Sequence, residues 1–210
     1  MDMAGRKKTA SGTGAKRKTY HHGDLRQALL TAAENILARD GIGGLTLRAA
    51  ARETGTSHAA PKNHFDDLTG LLSELAATGF ERFNDQLLAA AAKASTPQAR
   101  LNATGRAYVK FAVAQPGLFQ LMFRSERLDA SRPALRDAMQ RAYLVLTDAV
   151  DAAHPEGRSE SGPHLAHVGR AWAMVHGYAM LLLDGRLTPL FETGKMNAAS
   201  LLDAMLEDRP

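Results

Sequence analysis

Residues 54–67 read TGTSHAAPKNHFDD. Within them Ser57, His58, Lys62, Asn63 and His64 offer a hydroxyl, two imidazoles, an ammonium group and a carboxamide within about two helical turns. That set suits binding rather than bond-making. Hydroxyls and cations at helix starts meet phosphate oxygens, as Thr46 and Arg48 do upstream, and a carboxamide such as Asn63 pairs bidentately with adenine if it reaches a major groove. Asn63 fits a solvated surface position equally well. Catalysis has less support. Ser57 next to His58 does not set a base against a nucleophile, and there is no HExxH, Walker loop or Glu-x-x-His pair. His164 and His167, three apart, and His21 and His22 have spacings compatible with a metal. With no cysteine in the chain, the expectation is no metal, no cofactor and no catalytic residue.

The charge supports a polyanion-facing end. Residues 1–65 hold eleven Lys or Arg against five Asp or Glu, so this third carries +6 and the rest −2 of the total +4. A basic tail without a partner explains the first twenty residues as well, but not Arg48, Arg52 and Lys62. Residues 1–19 lack apolar periodicity and read as a disordered tail, either a DNA-tracking arm or a solvated terminus. The basic start has no apolar run behind it, so it is not a signal peptide. The greasiest stretch, AWAMVHGYAMLLLDGRL, is interrupted by His176, Asp184 and Arg186, which argues against a membrane span. Absence of cysteine fits a cytoplasmic location.

The elements that must position these residues are all helical. Asp24 is placed to cap a helix carrying Leu25, Ala28, Leu29, Ala32, Ala33, Ile36 and Leu37, which stops at Gly41 before a GIGG loop. Thr46 caps LRAAARET, closed by Gly55, and Ser57 caps a helix ending near Phe65. Pro61 is then its fourth residue, where it removes about one intrahelical bond. Asp66 or Asp67 starts a long helix to about Lys93 with a stripe of Leu68, Leu71, Leu72, Leu75, Phe80, Phe83 and Leu87. Further helices follow from Pro97, from Pro116, over SRPALRDAMQRAYLVLTDAVDAAH, over residues 163–184 after the linker PEGRSESGP, and over NAASLLDAMLED. No strand alternation or repeat interrupts them, so the fold class is all-α.

Three short helices with a tight Gly-containing turn between the second and third form a helix-turn-helix, whose third helix would enter the major groove. Ala49, Ala50, Ala59 and Ala60 let the helices approach closely. Spacing alone leaves open a three-helix hairpin that binds nothing. Residues 20–80, including the Gly41 loop, LTLRAAA, the Gly55 turn and His64-Phe65, resemble the N-terminal domain of TetR-type (TetR/AcrR) transcriptional regulators. YVKFAVAQPGLFQLMF and AWAMVHGYAMLLLDGRL are similar to the ligand-binding half of one branch, which often carries a Trp, His, Gly signature, here Trp172, His176 and Gly177. The resemblance implies a homodimer that represses transcription from double-stranded DNA until a small-molecule effector binds. It also divides the chain into a tail (1–19), a DNA-binding domain (20–66) and a ligand-binding and dimerisation domain (67–210).

By the same resemblance, Thr46, Arg48, Ser57, His58, Lys62, Asn63 and His64 are the DNA-contact candidates, with Phe65 as core. The family commonly has a phosphate-contacting Tyr where Lys62 stands; Lys62 reaches a phosphate as a flexible point charge without an aromatic plane. Tyr108, Phe111, Phe119, Met122, Phe123, Tyr143, Trp172, Met174 and His176 are the candidates to line an effector pocket for a mostly apolar molecule, though such side chains also build plain cores. Leu165, Val168, Trp172, Val175, Ala179 and Leu182 form a seam for pairing two copies through the last two long helices, or for intrachain packing. A helical accessory protein that grips a protein partner without reading DNA is the alternative function.

Overall fold

A computed structural model describes residues 22–155, 162–192 and 194–207. The basic tail and His21 lie outside the described residues. Ten α-helices and one 3₁₀ turn (Ser125–Arg127), with no strand among the described residues, make an all-α fold. No helix among them is long and apolar enough to cross a membrane.

The first helix, α1 (His22–Gly44), begins two residues before Asp24. Asp24 therefore sits inside the helix and is not its cap. Leu29, Ala33, Ile36 and Leu37 are buried at three- and four-residue steps, and Gly41, at φ 68, breaks the run before a last turn. Helix α2 (Leu47–Glu53) is capped by Thr46, whose Oγ1 accepts from the Ala49 N–H at 3.0 Å. Gly55, at φ 65, turns the chain out of it.

Helix α3 (Ala60–Phe65) opens later than expected, with Ala59 at the cap position and no side-chain cap bond. Ser57 contributes its carbonyl, which accepts from the Ala60 N–H at 3.0 Å. Pro61 is thus the second helical residue, where an N–H would have no intrahelical acceptor, so the proline removes no helix bond. Its ring is almost fully buried, and core packing is the reason for a proline there. Of the alanines expected to let the helices approach closely, Ala50 is fully buried, as is its neighbour Ala51, whereas Ala59 is exposed.

Asp67, not Asp66, caps α4 (Leu68–Ala91), accepting from the Gly70 N–H at 2.8 Å. Asp66 takes a left-handed φ of 68. The junction between α3 and α4 is tight: a Cβ on Gly70 would stand 1.9 Å from the Phe65 carbonyl oxygen. Helix α4 is the central pillar, with the expected stripe buried from Leu71 to Leu87. It packs against α1, α3, α5 (Pro97–Ala114), α6 (Pro116–Met122) and α7 (Pro133–Ala153). Helix α8 (Gly162–Leu183) lies on α5 and α7, the short α9 (Thr188–Phe191) follows, and α10 (Ala198–Glu207) returns to α5. One hydrophobic core runs from α1 to α10.

The expected α8 seam splits. Val168, Val175 and Ala179 face into the chain, while Leu165 and Trp172 remain 53% and 43% exposed. At 3.6 residues per turn, Leu165 and Trp172 lie about 60° and about 40° to one side of Val168, past the edge that α5 and α7 cover.

Candidate functional site

The candidate DNA-contact residues share one solvent-facing side of α2, the turn and α3. Thr46, Arg48, Ser57, His58, Lys62 and Asn63 are exposed, and His64 is half-buried beside Phe65, ring centroids 6.2 Å apart. This arrangement follows from α3's own period. Pro61 and Phe65, four apart, point inward and fix the helix, which leaves Lys62 and Asn63 outward. Thr46 Oγ1 accepts the capping bond, so its O–H stays available to donate outward. Neither Arg48 nor Lys62 forms an ion pair among the described residues. Arg26 supports Phe65 from behind, its guanidinium 5.5 Å from the ring centroid and 2.7 Å from Glu74.

The C-terminal end of α3 is held by a residue distant in sequence. Arg132, the residue before α7, donates Nη2 to Asp66 Oδ2 at 2.9 Å and to the Phe65 carbonyl at 3.4 Å. No sequence feature pointed to Arg132, because its partners are sixty-six and sixty-seven residues away.

Helices α4, α5, α7, α8 and α10 enclose a cavity of about 990 Å³, within the range that holds small molecules. Six of the nine pocket candidates line it: Tyr108, Met122, Phe123, Tyr143, Trp172 and Met174. Phe111 and Phe119 do not; they are fully buried in the core beside it. Both come from the apolar run between α5 and α6, where α4 covers the side turned away from the cavity. His176 also does not line the cavity but stands behind Tyr108, its Nδ1 2.7 Å from the phenol oxygen. Burial pushes the Tyr108 phenol far up. Burial also lowers the His176 imidazole, so at neutral pH an uncharged ring meets an uncharged phenol.

The aromatic wall is layered. Phe83 meets Tyr108 edge-on at 5.1 Å, Phe80 meets Phe123 at 5.7 Å, and Phe123 meets His176 at 4.7 Å. Sequence reasoning missed the polar lining, Gln98, Asn102, Arg136, Gln140, His154, His167 and Arg170. These residues lie on mostly solvated helix faces, and only the meeting of α5, α7 and α8 turns them toward a shared space. The metal spacing on α8 is used otherwise. His164 Nδ1 is 2.8 Å from Asp151 Oδ1, and His167 stacks on His154 at 4.1 Å between centroids. Among the described residues no three His, Asp or Glu side chains gather in a metal-holding group.

A three-helix head with an outward α3, joined by one long helix to a cavity-bearing body, defines the class of helix-turn-helix regulators with a sensing domain. Residues 101–208 match the tetracyclin repressor-like C-terminal domain, and the chain belongs to the TetR family of transcriptional regulators, which are DNA-binding proteins and not enzymes. A protein of unknown function from Rhodococcus sp. RHA1 is 34% identical, with a TM-score of 0.75 over 91% of this chain and 96% of that one. The uncharacterized HTH-type transcriptional regulator YobS of Bacillus subtilis (strain 168) is 26% identical over 98 residues, 47% of this chain and 51% of YobS, so that match spans about half of the relative. The transcriptional regulator FadR from Bacillus subtilis, solved with stearoyl-CoA, shares the fold at a TM-score of 0.60 and 16% identity, over 86% of this chain and 95% of FadR.

Proposed function

We propose that the protein is a cytoplasmic, ligand-responsive repressor that binds an inverted-repeat operator as a homodimer and leaves it when a small, mostly apolar molecule fills the cavity. Residues 20–66 form the DNA-reading head, and residues 67–210 the sensing and dimerising body. In the head, Lys62, Thr46, Arg48 and Ser57 meet phosphates, Asn63 and His58 face base edges, and His64 orients the helix end. The observation that carries the reading is the Arg132 link: the helix whose inner face lines the cavity begins at the residue that grips the end of α3. A ligand that displaces α7 therefore displaces the base of the recognition helix. FadR, of the same fold, was solved with stearoyl-CoA, which supports a ligand role for the cavity between these helices.

The dimer reading rests on α8. Its outward side carries Leu165 and Trp172, each more than two-fifths exposed. A Cβ on Gly169 or on Gly177 would meet nothing within 4 Å inside the chain. A second copy of α8 covers this face, with α10 beside it, and sets the two heads about one DNA turn apart, roughly 34 to 36 Å.

The test is selection of random DNA duplexes on the purified full chain at moderate salt, followed by sequencing of the retained pool. An inverted repeat is the expected result, with release by a cavity ligand as the second stage. Salt-sensitive retention without an enriched sequence would overturn the regulator reading in favour of a partner-binding accessory protein.

A further inference from the structure

We infer that the cavity takes an anionic amphiphile, an apolar body ending in one carboxylate or phosphate head, with the head held by Arg170 and His167 where α7 meets α8. The inference rests on the cavity being the ligand site proposed above. Its lining carries two arginines and two histidines and, among the described residues, no carboxylate. An arginine without a carboxylate partner at the edge of a mostly apolar space attracts negative charge and repels an amine.

The two arginines are not equivalent. Arg136 already has a carboxylate, Asp137, at 3.1 Å. Arg170 has no ion pair among the described residues. It lies one turn after His167 on α8, so the two side chains are neighbours on one face. His167 Nδ1 is buried without a hydrogen-bond partner, and its ring is held by the stack on His154. A buried polar nitrogen left unpaired costs free energy, and an oxyanion that accepts from an imidazole N–H removes that cost. The same oxyanion meets the Arg170 guanidinium, whose paired N–H groups match a carboxylate or a phosphate. Arg170 is exposed, so the head stays near the opening while the body runs inward.

The geometry also sets the shape of the body. Lining residues on α7 extend from Arg136 to Ala153, a span of about 26 Å at 1.5 Å per residue. Phe80, Phe83, Phe123 and Met139 stand along it. An elongated chain suits this space better than a compact ring system.

Trp172 is the one tryptophan in the sequence and it lines the cavity, so its fluorescence reports occupancy directly. The test titrates the full chain with dodecanoate, dodecyl phosphate, dodecanol and dodecylamine, all below their micelle concentrations. The anions are expected to bind at least about tenfold tighter than the alcohol, the gain of a charge-assisted hydrogen bond over a neutral one, with the amine weakest. The tighter of the two anions identifies the head. Shortening the chain by one methylene is expected to weaken binding about fourfold. Arg170→Gln is expected to bring the anions down to the alcohol's affinity while leaving the alcohol unchanged, and Arg170→Lys to restore part of the difference. Equal binding of acid and alcohol would overturn the anionic head and leave the cavity as the ligand site. If none of the four amphiphiles bound, the cavity reading itself would fall.

Discussion

Arg132→Ala removes the strut between the sensing helix and the end of α3, and the structure allows its size to be worked out. The Asp66 carboxylate is 83% exposed, so that ion pair contributes no more than about 0.5 kcal/mol. The Phe65 carbonyl loses its side-chain partner, at about 1 kcal/mol. The Arg132 side chain is only 26% exposed, and its truncation forfeits about 0.5 kcal/mol of stem packing. The expected loss is about 2 kcal/mol, or roughly 4 to 8 °C in Tm for a chain of this length. Thermal unfolding followed by circular dichroism measures it, with Arg132→Lys as a partial replacement that keeps the charge but not the planar fork. The functional consequence is separate. Ligand binding read from Trp172 should stay within twofold of wild type, while the change in duplex affinity on adding ligand should shrink. A stability loss under about 0.5 kcal/mol, together with an unchanged ligand response on DNA, would refute the idea that the strut connects cavity and head.

Lys62→Ala should weaken binding to all duplexes alike and lower the slope of log affinity against log salt by about 1, read from titrations at several salt concentrations. Thr46→Ala should cost about 1 kcal/mol in urea unfolding through loss of the α2 cap, whereas Thr46→Asn should cost much less. Gly70→Ala should destabilise by more than about 3 kcal/mol, because its Cβ would fall on the Phe65 carbonyl oxygen with no room to relax. Burial holds the folded-state His176 imidazole below its ordinary 6.5, so between these two values the unfolded chain binds more protons than the folded one. Stability should therefore be flat above about pH 6.5, fall as the pH drops below it and level off once both states are protonated; His176→Gln should remove that component from urea melts between pH 7.5 and 5.

The helices were legible because each announces itself locally. Thr46, Asp67 and Thr96 cap where hydroxyls and carboxylates precede apolar periodicity, and Pro97, Pro116 and Pro133 stand in first turns. Errors arose where local chemistry left two registers open. Ser57 and Ala59 compete for the start of α3, and what decides is burial of Pro61 against the core, a tertiary fact. The outward set on the head was readable for the same local reason, since fixing Phe65 inward fixes Lys62 and Asn63 outward. Cavity lining was only half readable. An aromatic residue at helical spacing looks the same whether a neighbouring helix or an empty space faces it, so Phe119 and Phe123, four apart, separate into core and wall only when α4 and α8 are in place. Arg170 and His167 were invisible as a pair with Arg136 because the three lie on two helices far apart in sequence.

The proposed dimer and the proposed ligand meet at Trp172. Its indole lines the cavity and is still 43% exposed, so it belongs to both surfaces of α8. The hydrogen bond between His176 and the Tyr108 phenol ties the inner side of α8 to α5. A ligand body that presses between Tyr108 and α8 would load that bond and push the Trp172 indole toward the side where the proposed second copy of α8 would lie. Gly169, with nothing within 4 Å of a Cβ, places backbone rather than side chain at that outer surface, so a small rotation of α8 changes how closely two copies approach. Two routes then lead from one cavity: through α7 and Arg132 to the base of each recognition helix, and through Trp172 to the spacing between the two. The first changes how each head sits in its groove and the second changes the distance between grooves that can be read together. Trp172→Ala removes the indole from both surfaces, and so should weaken the second route while leaving the Arg132 contacts intact.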